Sequence, residues 1–175
     1  EIGIIKFPSI SNFSDLDPLE NEEGINLNWI NNCQNLDKFD LIILPGSKQT
    51  IKDINFLKET GLIKNIRDYS KNHGNILGIC GGLQMLGESL EDPYYKEGLG
   101  SSKNQLIKGI GLLPLKTIFK KTKITKRITC DATWPSFTKI EGYEIHNGIT
   151  EIIKGDKKEK LKNIFKQNKL GWYID

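Results

Sequence analysis

Alanine is all but missing: Ala132 is the one example in 175 residues. Lys, Asn and Ile are abundant in its place, a skew we read as base composition of the gene, which changes no mechanism. Long apolar runs are missing too. Hydrophobic residues make up 37% of the chain and charged residues 27%. The mean hydropathy is −0.41, and no run approaches the roughly 20 apolar residues of a spanning helix, so no membrane partner is expected. Nor does one sign of charge dominate. Lys plus Arg number 25 and Asp plus Glu 22, giving 25 − 22 = +3, too mild and too scattered for a nucleic-acid-binding surface. Cysteine is scarce: Cys33, Cys80 and Cys130 are an odd, widely spaced set with no CxxC pair. That pattern argues against a zinc site and against a secreted disulfide framework, and favours reduced thiols in a cytoplasmic protein without a bound metal.

The first residues lack the basic segment and apolar stretch of a signal peptide. The chain opens inside a strand-like run without Met and stops as abruptly after Leu170-Gly171-Trp172-Tyr173-Ile174-Asp175. We expect residues 1–175 to form a single domain, long enough to bury a real core, cut at both ends from a longer polypeptide. No internal repeat or linker divides it.

What is present reads as alternating strands and helices. Residues 2–7 form a short buried strand closed by Pro8, followed by a polar loop over 9–18, and 25–30 offer another short strand. Asp40-Leu41-Ile42-Ile43-Leu44 is a continuous apolar run ending at Pro45-Gly46, the pattern of a parallel strand covered on both faces. Ile51, Ile54 and Leu57 form one helical stripe, and Leu62, Ile63, Ile66 and Tyr69 a second that Gly74 ends. A buried strand at 75–79 and a helix over 81–90 follow. Strand–helix–strand–helix predicts an α/β fold, an open and mostly parallel sheet with flanking helices. Residues 91–108 read as a loop. Beyond it, 115–119, 124–130, 140–146 and 170–174 read as short, antiparallel strands of the C-terminal third. Lys120-Lys121-Thr122-Lys123 reads as a solvated turn between two of them, and 157–166 as a short helix or hairpin flank.

The most informative stretch is Gly78-Ile79-Cys80-Gly81-Gly82-Leu83-Gln84-Met85-Leu86-Gly87. A Cys between a buried strand and a helix, framed by glycines, is the thiol counterpart of the Gly-x-Ser-x-Gly nucleophile elbow. The sharp turn demands small neighbours and lifts the sulfur above the sheet. The helix start favours thiolate, and the Gly81 N–H points where an oxyanion would form. A buried structural Cys is the plainer alternative for an isolated thiol, and it is the one we adopt for Cys33 and Cys130. Pro45-Gly46-Ser47-Lys48 ends the preceding strand, at the edge where open α/β sheets bind ligands, and offers a second set of N–H donors. Of the two histidines, His73 sits at a polar helix end and reads as surface. His146 stands at a strand end in Gly142-Tyr143-Glu144-Ile145-His146-Asn147-Gly148. It is either a general base or a structural contact.

At these residues the chain resembles the class I (triad-type) glutamine amidotransferase domains, which have a flavodoxin-like fold. Within them it is closest to the corrinoid-amidating branch. Ile10-Ser11-Asn12-Phe13-Ser14-Asp15-Leu16-Asp17-Pro18-Leu19, Leu44-Pro45-Gly46-Ser47-Lys48, the Cys80 stretch and Gly142-Tyr143-Glu144-Ile145-His146 carry the resemblance. It continues through Asp92-Pro93, Glu97-Gly98 and Gly109-Ile110-Gly111-Leu112-Leu113-Pro114 over nearly the whole chain. The resemblance implies glutamine hydrolysis through a γ-glutamyl thioester on Cys80. Gly46, Ser47 and Gly81 would stabilise the oxyanion and Gln84 would position glutamine. The ammonia would pass to an N-terminal synthetase domain of the same polypeptide, which uses ATP and Mg to amidate a corrinoid substrate; no cofactor is expected in the present chain. Two departures stand out. Most class I members carry Glu two residues after the catalytic His, where this chain has Gly148. The Gly-Thr-Tyr-Leu-His-Gly-like motif that usually holds the branch's catalytic His is not found, so His146 is the base or only a neighbour of the site. An amidotransferase subunit acting on a cell-wall lipid intermediate, and a non-catalytic module of the same fold, are the rival readings.

Overall fold

Ile4, Ile5, Ile42, Ile43 and Leu44 have no solvent-exposed surface, and their position explains the architecture. In the computed structural model, which describes residues 1–97, 106–153, 160–166 and 169–174, these side chains lie on two neighbouring parallel strands. β1 (Ile2–Ile5), β2 (Leu27–Ile30), β3 (Leu41–Leu44) and β4 (Asn75–Gly78) form one sheet in the order β2-β1-β3-β4, every pair parallel. The order reverses between β1 and β3, so the loops leaving those strands part there and open a crevice at the C-terminal edge.

The continuous apolar run of β3 is buried on both faces, as expected of a central parallel strand. β4 departs from expectation. It is the last strand of the sheet rather than a buried one, and Leu77 on its outer face is 43% exposed. Apolar residues alone did not distinguish an edge strand from an internal one.

On one face of the sheet pack α2 (Thr50–Glu59) and α3 (Leu62–Lys71). Ile51, Ile54, Leu57, Leu62, Ile66 and Tyr69 are buried in one core with Ile5, Ile42 and Leu44. The polar loop after β1 contains a 3-10 turn, Phe13–Leu16, and the single helical turn α1 (Asp17–Glu20). The end of α3 also differs in detail from the reading. His73, not Gly74, takes the left-handed conformation (φ 64°), and the Gly74 N–H donates to the Tyr69 carbonyl at 2.9 Å. His73 is exposed there, as expected.

The elbow helix α4 (Gly81–Leu86) is shorter than the helix expected over 81–90. Past Gly87 the backbone is captured by a second sheet: the Glu88 N–H donates to Leu115, and the Glu88 carbonyl accepts from Gly109. Leu90 therefore lies not on a helix but on β5 (Ser89–Glu91), within the stretch that also contains β6 (Leu106–Lys108). The loop expected over 91–108 thus begins on β5 and ends on β6, and its residues 98–105 lie outside the described residues.

β7 (Leu115–Ala132) and β8 (Thr138–Ile152) complete the second sheet, in the order β6-β5-β7-β8. The antiparallel strands of the C-terminal third are there, but not as separate short pieces. The stretches at 115–119 and 124–130 are one strand of 18 residues, paired with the 15-residue strand β8. The lysine run at 120–123 is not a turn; it occupies a register shift between Ile118 and Lys123. Gly148 stands opposite it with φ 88°, where a Cβ would lie 2.8 Å from the Ile118 carbonyl, so the bulge needs glycine. Two short antiparallel strands follow, β9 (Lys162–Asn163) and β10 (Trp172–Tyr173). They agree with the hairpin-flank reading of 157–166 where that stretch is described; 154–159 are not.

Candidate active site

Cys80 is the residue between β4 and α4, and its backbone is held at φ 49°, ψ −106°. A positive φ is costly for a side chain with a Cβ and persists only where surrounding structure enforces it. The enforcement comes from glycine packing. A Cβ on Gly82 would overlap the Leu44 carbonyl, and one on Gly81 would lie 2.9 Å from the Ser47 nitrogen. The elbow thus seats directly on the end of β3. The Ile79 N–H donates to the Leu44 carbonyl at 2.9 Å, fixing the height of the thiol relative to the loop after β3.

That loop holds Gly46 and Ser47. A Cβ on Gly46 would stand 3.9 Å from Cys80 Cβ and collide with Ser11 Oγ. The loop after β1 is zipped onto it: the Ser11 N–H donates to Gly46 at 2.9 Å and the Lys48 N–H to Ser9 at 2.8 Å. Among the described residues the Ser47 N–H makes no main-chain hydrogen bond, and the Gly81 N–H, at the first position of its helix, has no intrahelical acceptor. The structure therefore gathers Gly46, Ser47, Cys80 and Gly81 within one residue's breadth.

The ribbon of β7 and β8 forms the opposite wall. Ile145 offers its carbonyl to Cys80 Sγ at 3.9 Å, and a cavity of about 320 Å³ runs from Cys80 along Gln84, His146, Ile128, Phe165 and Trp172. The thiol is exposed to this groove, yet groove walls displace bulk water on its other sides. Burial pushes its pKa up, against the pull of the Gly81 N–H and the Lys123 ammonium, while Asp15 and Glu97 push the same way as burial. This departs from the expectation that the helix start alone would favour thiolate. α4 has six residues, a short dipole opposed by desolvation.

Gln84 is buried and its amide joins α4 to β8 by donating to the Asn147 carbonyl at 3.1 Å, so it both lines the groove and braces it. His146 reaches the same wall, but its ring does not bond Cys80. Nδ1 lies 2.9 Å from the Gly148 carbonyl and Nε2 lies 3.0 Å from Glu144 Oε1. Glu144 is half-buried, with the Lys126 ammonium 3.0 Å from its other carboxylate oxygen. Burial pushes the Glu144 carboxyl up, and the bonds from His146 and Lys126 outweigh it, leaving it below the ordinary carboxylate range. The carboxylate partner missing two residues after His146 is thus supplied two residues before it.

Three acidic groups at the site escaped the sequence reading. Asp53 is fully buried in the first turn of α2; Glu97 is buried against the start of the same helix; Glu144 is the third. Asp53 had one legible signal: it stands one turn before Leu57, on the buried stripe. Of the other two thiols, Cys33 lies apart from the groove and Cys130 is among the residues that line it. Cys33 is exposed and donates to Asn65 Oδ1 at 2.6 Å, and Cys130 is buried in β7.

Comparison with known proteins matches residues 1–174 to a family model described as the CobB/CobQ-like glutamine amidotransferase domain. The chain is similar to the cobyric acid synthase of Prochlorococcus marinus strain AS9601, 60% identical over 175 residues, which is all of this chain and 34% of that protein. It is similar to the cobyric acid synthase of strain NATL2A at 46% identity over 175 residues, again 34% of that protein's length. The chain thus spans about a third of the length of these curated relatives. Among solved structures, a glutamine amidotransferase crystal structure aligns with TM-score 0.68 at 14% identity, over 97% of this chain and 81% of that one. The structure of PurLQS from Thermotoga maritima aligns with TM-score 0.62 at 15% identity, over 94% of this chain and 72% of that one. At such identities these two likenesses concern the fold alone.

Proposed function

The chain belongs to the CobB/CobQ-like glutamine amidotransferase domain family, and from that premise we propose that it releases ammonia from glutamine through a thioester on Cys80. The observation that carries this reading is the strained elbow. A thiol at φ 49° stands above the end of β3, with the N–H groups of Gly81 and Ser47 beside it and a walled groove before it. In the reaction, Cys80 Sγ attacks the glutamine Cδ and the carbonyl oxygen gathers negative charge between those donors. The C–N bond then breaks as the nitrogen takes up a proton and leaves as ammonia. Water attacks the thioester, the C–S bond breaks, and glutamate departs with the thiol restored. Gln84, through its brace to Asn147, sets the distance between the elbow and the groove wall on which glutamine lies.

Both half-reactions call for a group that moves a proton. His146 is the imidazole on the described groove wall, oriented by Glu144, with its other nitrogen held by Gly148. We expect His146→Ala, assayed in the full-length protein, to lower glutamine turnover by less than about tenfold, because neither ring nitrogen faces the thiol. A loss in the 10²–10⁴-fold range of general acid–base help would instead make this ring the base, after release from Gly148.

The ammonia, in this proposal, is passed to an ATP- and Mg-dependent synthetase unit of the same polypeptide that amidates corrinoid carboxylates. Support comes from the 60% identity to a cobyric acid synthase over a third of that relative's length. The free thiols fit a reducing, cytoplasmic setting. No helix among the described residues is long and apolar enough to cross a membrane.

A diazoketone analogue of glutamine tests the assignment of the nucleophile. Peptide mapping is expected to find the adduct on Cys80 alone, with glutamine protecting it. An adduct on Cys33 or Cys130, or labelling that glutamine does not slow, would remove Cys80 from its role.

A further inference from the structure

Asp53 has no exposed surface and none of the ion pairs among the described residues includes it. A carboxylate so placed costs free energy unless hydrogen bonds satisfy it, and its two oxygens have different partners. Oδ1 accepts the Ser9 main-chain N–H at 3.2 Å and Oδ2 accepts the Ser47 hydroxyl at 2.5 Å. Ser9 belongs to the loop after β1 and Ser47 to the loop after β3, so one side chain ties the two loops to α2.

The chemistry of the partners calls for two acceptors. The Ser9 N–H can only donate. The Ser47 hydroxyl already accepts from the Gln49 N–H at 3.1 Å, which turns its own proton toward Asp53. A carboxylate meets both donors with oxygen; an amide would present N–H₂ to one of them. Ser47 in turn abuts the elbow, its nitrogen lying where a Cβ on Gly81 would be 2.9 Å away. The position of the Ser47 peptide over Cys80 is therefore set from behind by Asp53.

We propose that Asp53 is a positioning residue for the oxyanion loop: through Ser47 and Ser9 it keeps the Ser47 N–H aimed at the oxygen that becomes charged when Cys80 is acylated. The proposal rests on the glutaminase reading of Cys80. Removal of one oxyanion donor costs roughly 10²–10³ in kcat, and misaiming a retained donor costs less. Asp53→Asn, whose amide leaves either Ser9 or Ser47 without an acceptor, and Ser47→Ala should each lower kcat for glutamine by about 10–100-fold, because each breaks the tie between the two loops while leaving the Ser47 N–H in the chain.

The measurement uses the full-length protein and compares kcat, KM and the rate of Cys80 alkylation by iodoacetamide. Alkylation at a saturated carbon develops no oxyanion and reports only on the thiol. The expected result is a fall in kcat with KM and the alkylation rate nearly unchanged, and a double variant no worse than either single one. Wild-type kcat in folded Asp53→Asn overturns the proposal. So do effects that multiply in the double variant, or alkylation that falls in step with kcat. If Asp53→Asn does not fold, Ser47→Ala decides by its own kcat, KM and alkylation rate, since it keeps the Asp53 carboxylate and its bond from Ser9. Wild-type protein that is alkylated at Cys80 but never releases glutamate would refute the glutaminase reading itself, and the proposal with it.

Discussion

Cys80→Ser leaves glutamine hydrolysis at background, a loss of about 10⁴-fold or more by the scale of nucleophile removals elsewhere. The substitution changes one atom and keeps the elbow, whose conformation is enforced by the packing of Gly81 and Gly82 rather than by the side chain. Folding and glutamine binding should therefore persist. What is lost is nucleophilicity. A thiol, even one whose pKa burial pushes up, yields some thiolate near neutral pH. A serine hydroxyl yields none without an adjacent base, and here the neighbour of Sγ is the Ile145 carbonyl at 3.9 Å, an acceptor that cannot carry the proton away. Glutamate release, measured beside the thermal midpoint, checks this. A folded Cys80→Ser protein with a tenth of the native rate would show that turnover does not depend on a thiol here, and the same rate in Cys80→Ala would exclude covalent catalysis at this position. Cys33→Ser serves as the contrast and should match the native enzyme, since its exposed thiol bonds Asn65 far from the groove.

Glu97→Gln is expected to stabilise the chain at pH 8 and to leave it nearly unchanged at pH 5. Burial pushes the Glu97 carboxyl up to about 7, aided by the nearby carboxylates Asp92 and Asp53 and opposed by the N–H groups of Ile51 and Thr50. One of its oxygens, Oε2, is buried without a partner, a place where a proton is better tolerated than a charge. The folded state therefore holds this proton more tightly than the unfolded chain does, whose Glu titrates near 4.5. A carboxyl raised in the fold contributes stability that is full below about pH 4.5 and is lost as pH rises through about 7. The difference is on the order of 3 kcal/mol, or roughly 6–12 °C in Tm for a domain of this size. Glutamine mimics the protonated acid and removes the dependence. The Tm gap between variant and native chain, followed from pH 5 to pH 8, should open upward. A gap that is constant across that range would mean Glu97 is ionised in the fold throughout.

Much of this site was legible in the sequence, for reasons that differ from residue to residue. The run at 40–44 and the glycine frame around Cys80 spoke plainly, because a strand covered on both faces and a turn without room for a Cβ each leave one kind of residue possible. The short helix α4 did not. Leu83, Leu86 and Leu90 fit a helical period equally well whether or not the backbone continues, and only the bonds from Glu88 to the distant Leu115 and Gly109 end it. The ribbon was hidden by its charge, since exposed lysines in a strand and in a turn look alike until a partner strand is known. Asp53 and Glu97 were hidden by the opposite rule: acidic residues are ordinarily solvated, and nothing local shows that two other loops will enclose them.

The ribbon has a further bearing on how the groove works in time. From the bulge outward, between Lys123–Asn147 and Ala132–Thr138, its two strands are mostly exposed and are held by their own ladder, by the Gln84 amide on Asn147 and, at the far end, by the main-chain bonds of Asp131 and Thr133 to Lys166 and Ile164. The sheet beneath Cys80 shares a continuous apolar core with two helices. Segments with few buried contacts open locally at a smaller free-energy cost than the body they leave. The wall that carries Ile145 and His146 is thus the side of the groove whose local opening would cost least, with the elbow left folded.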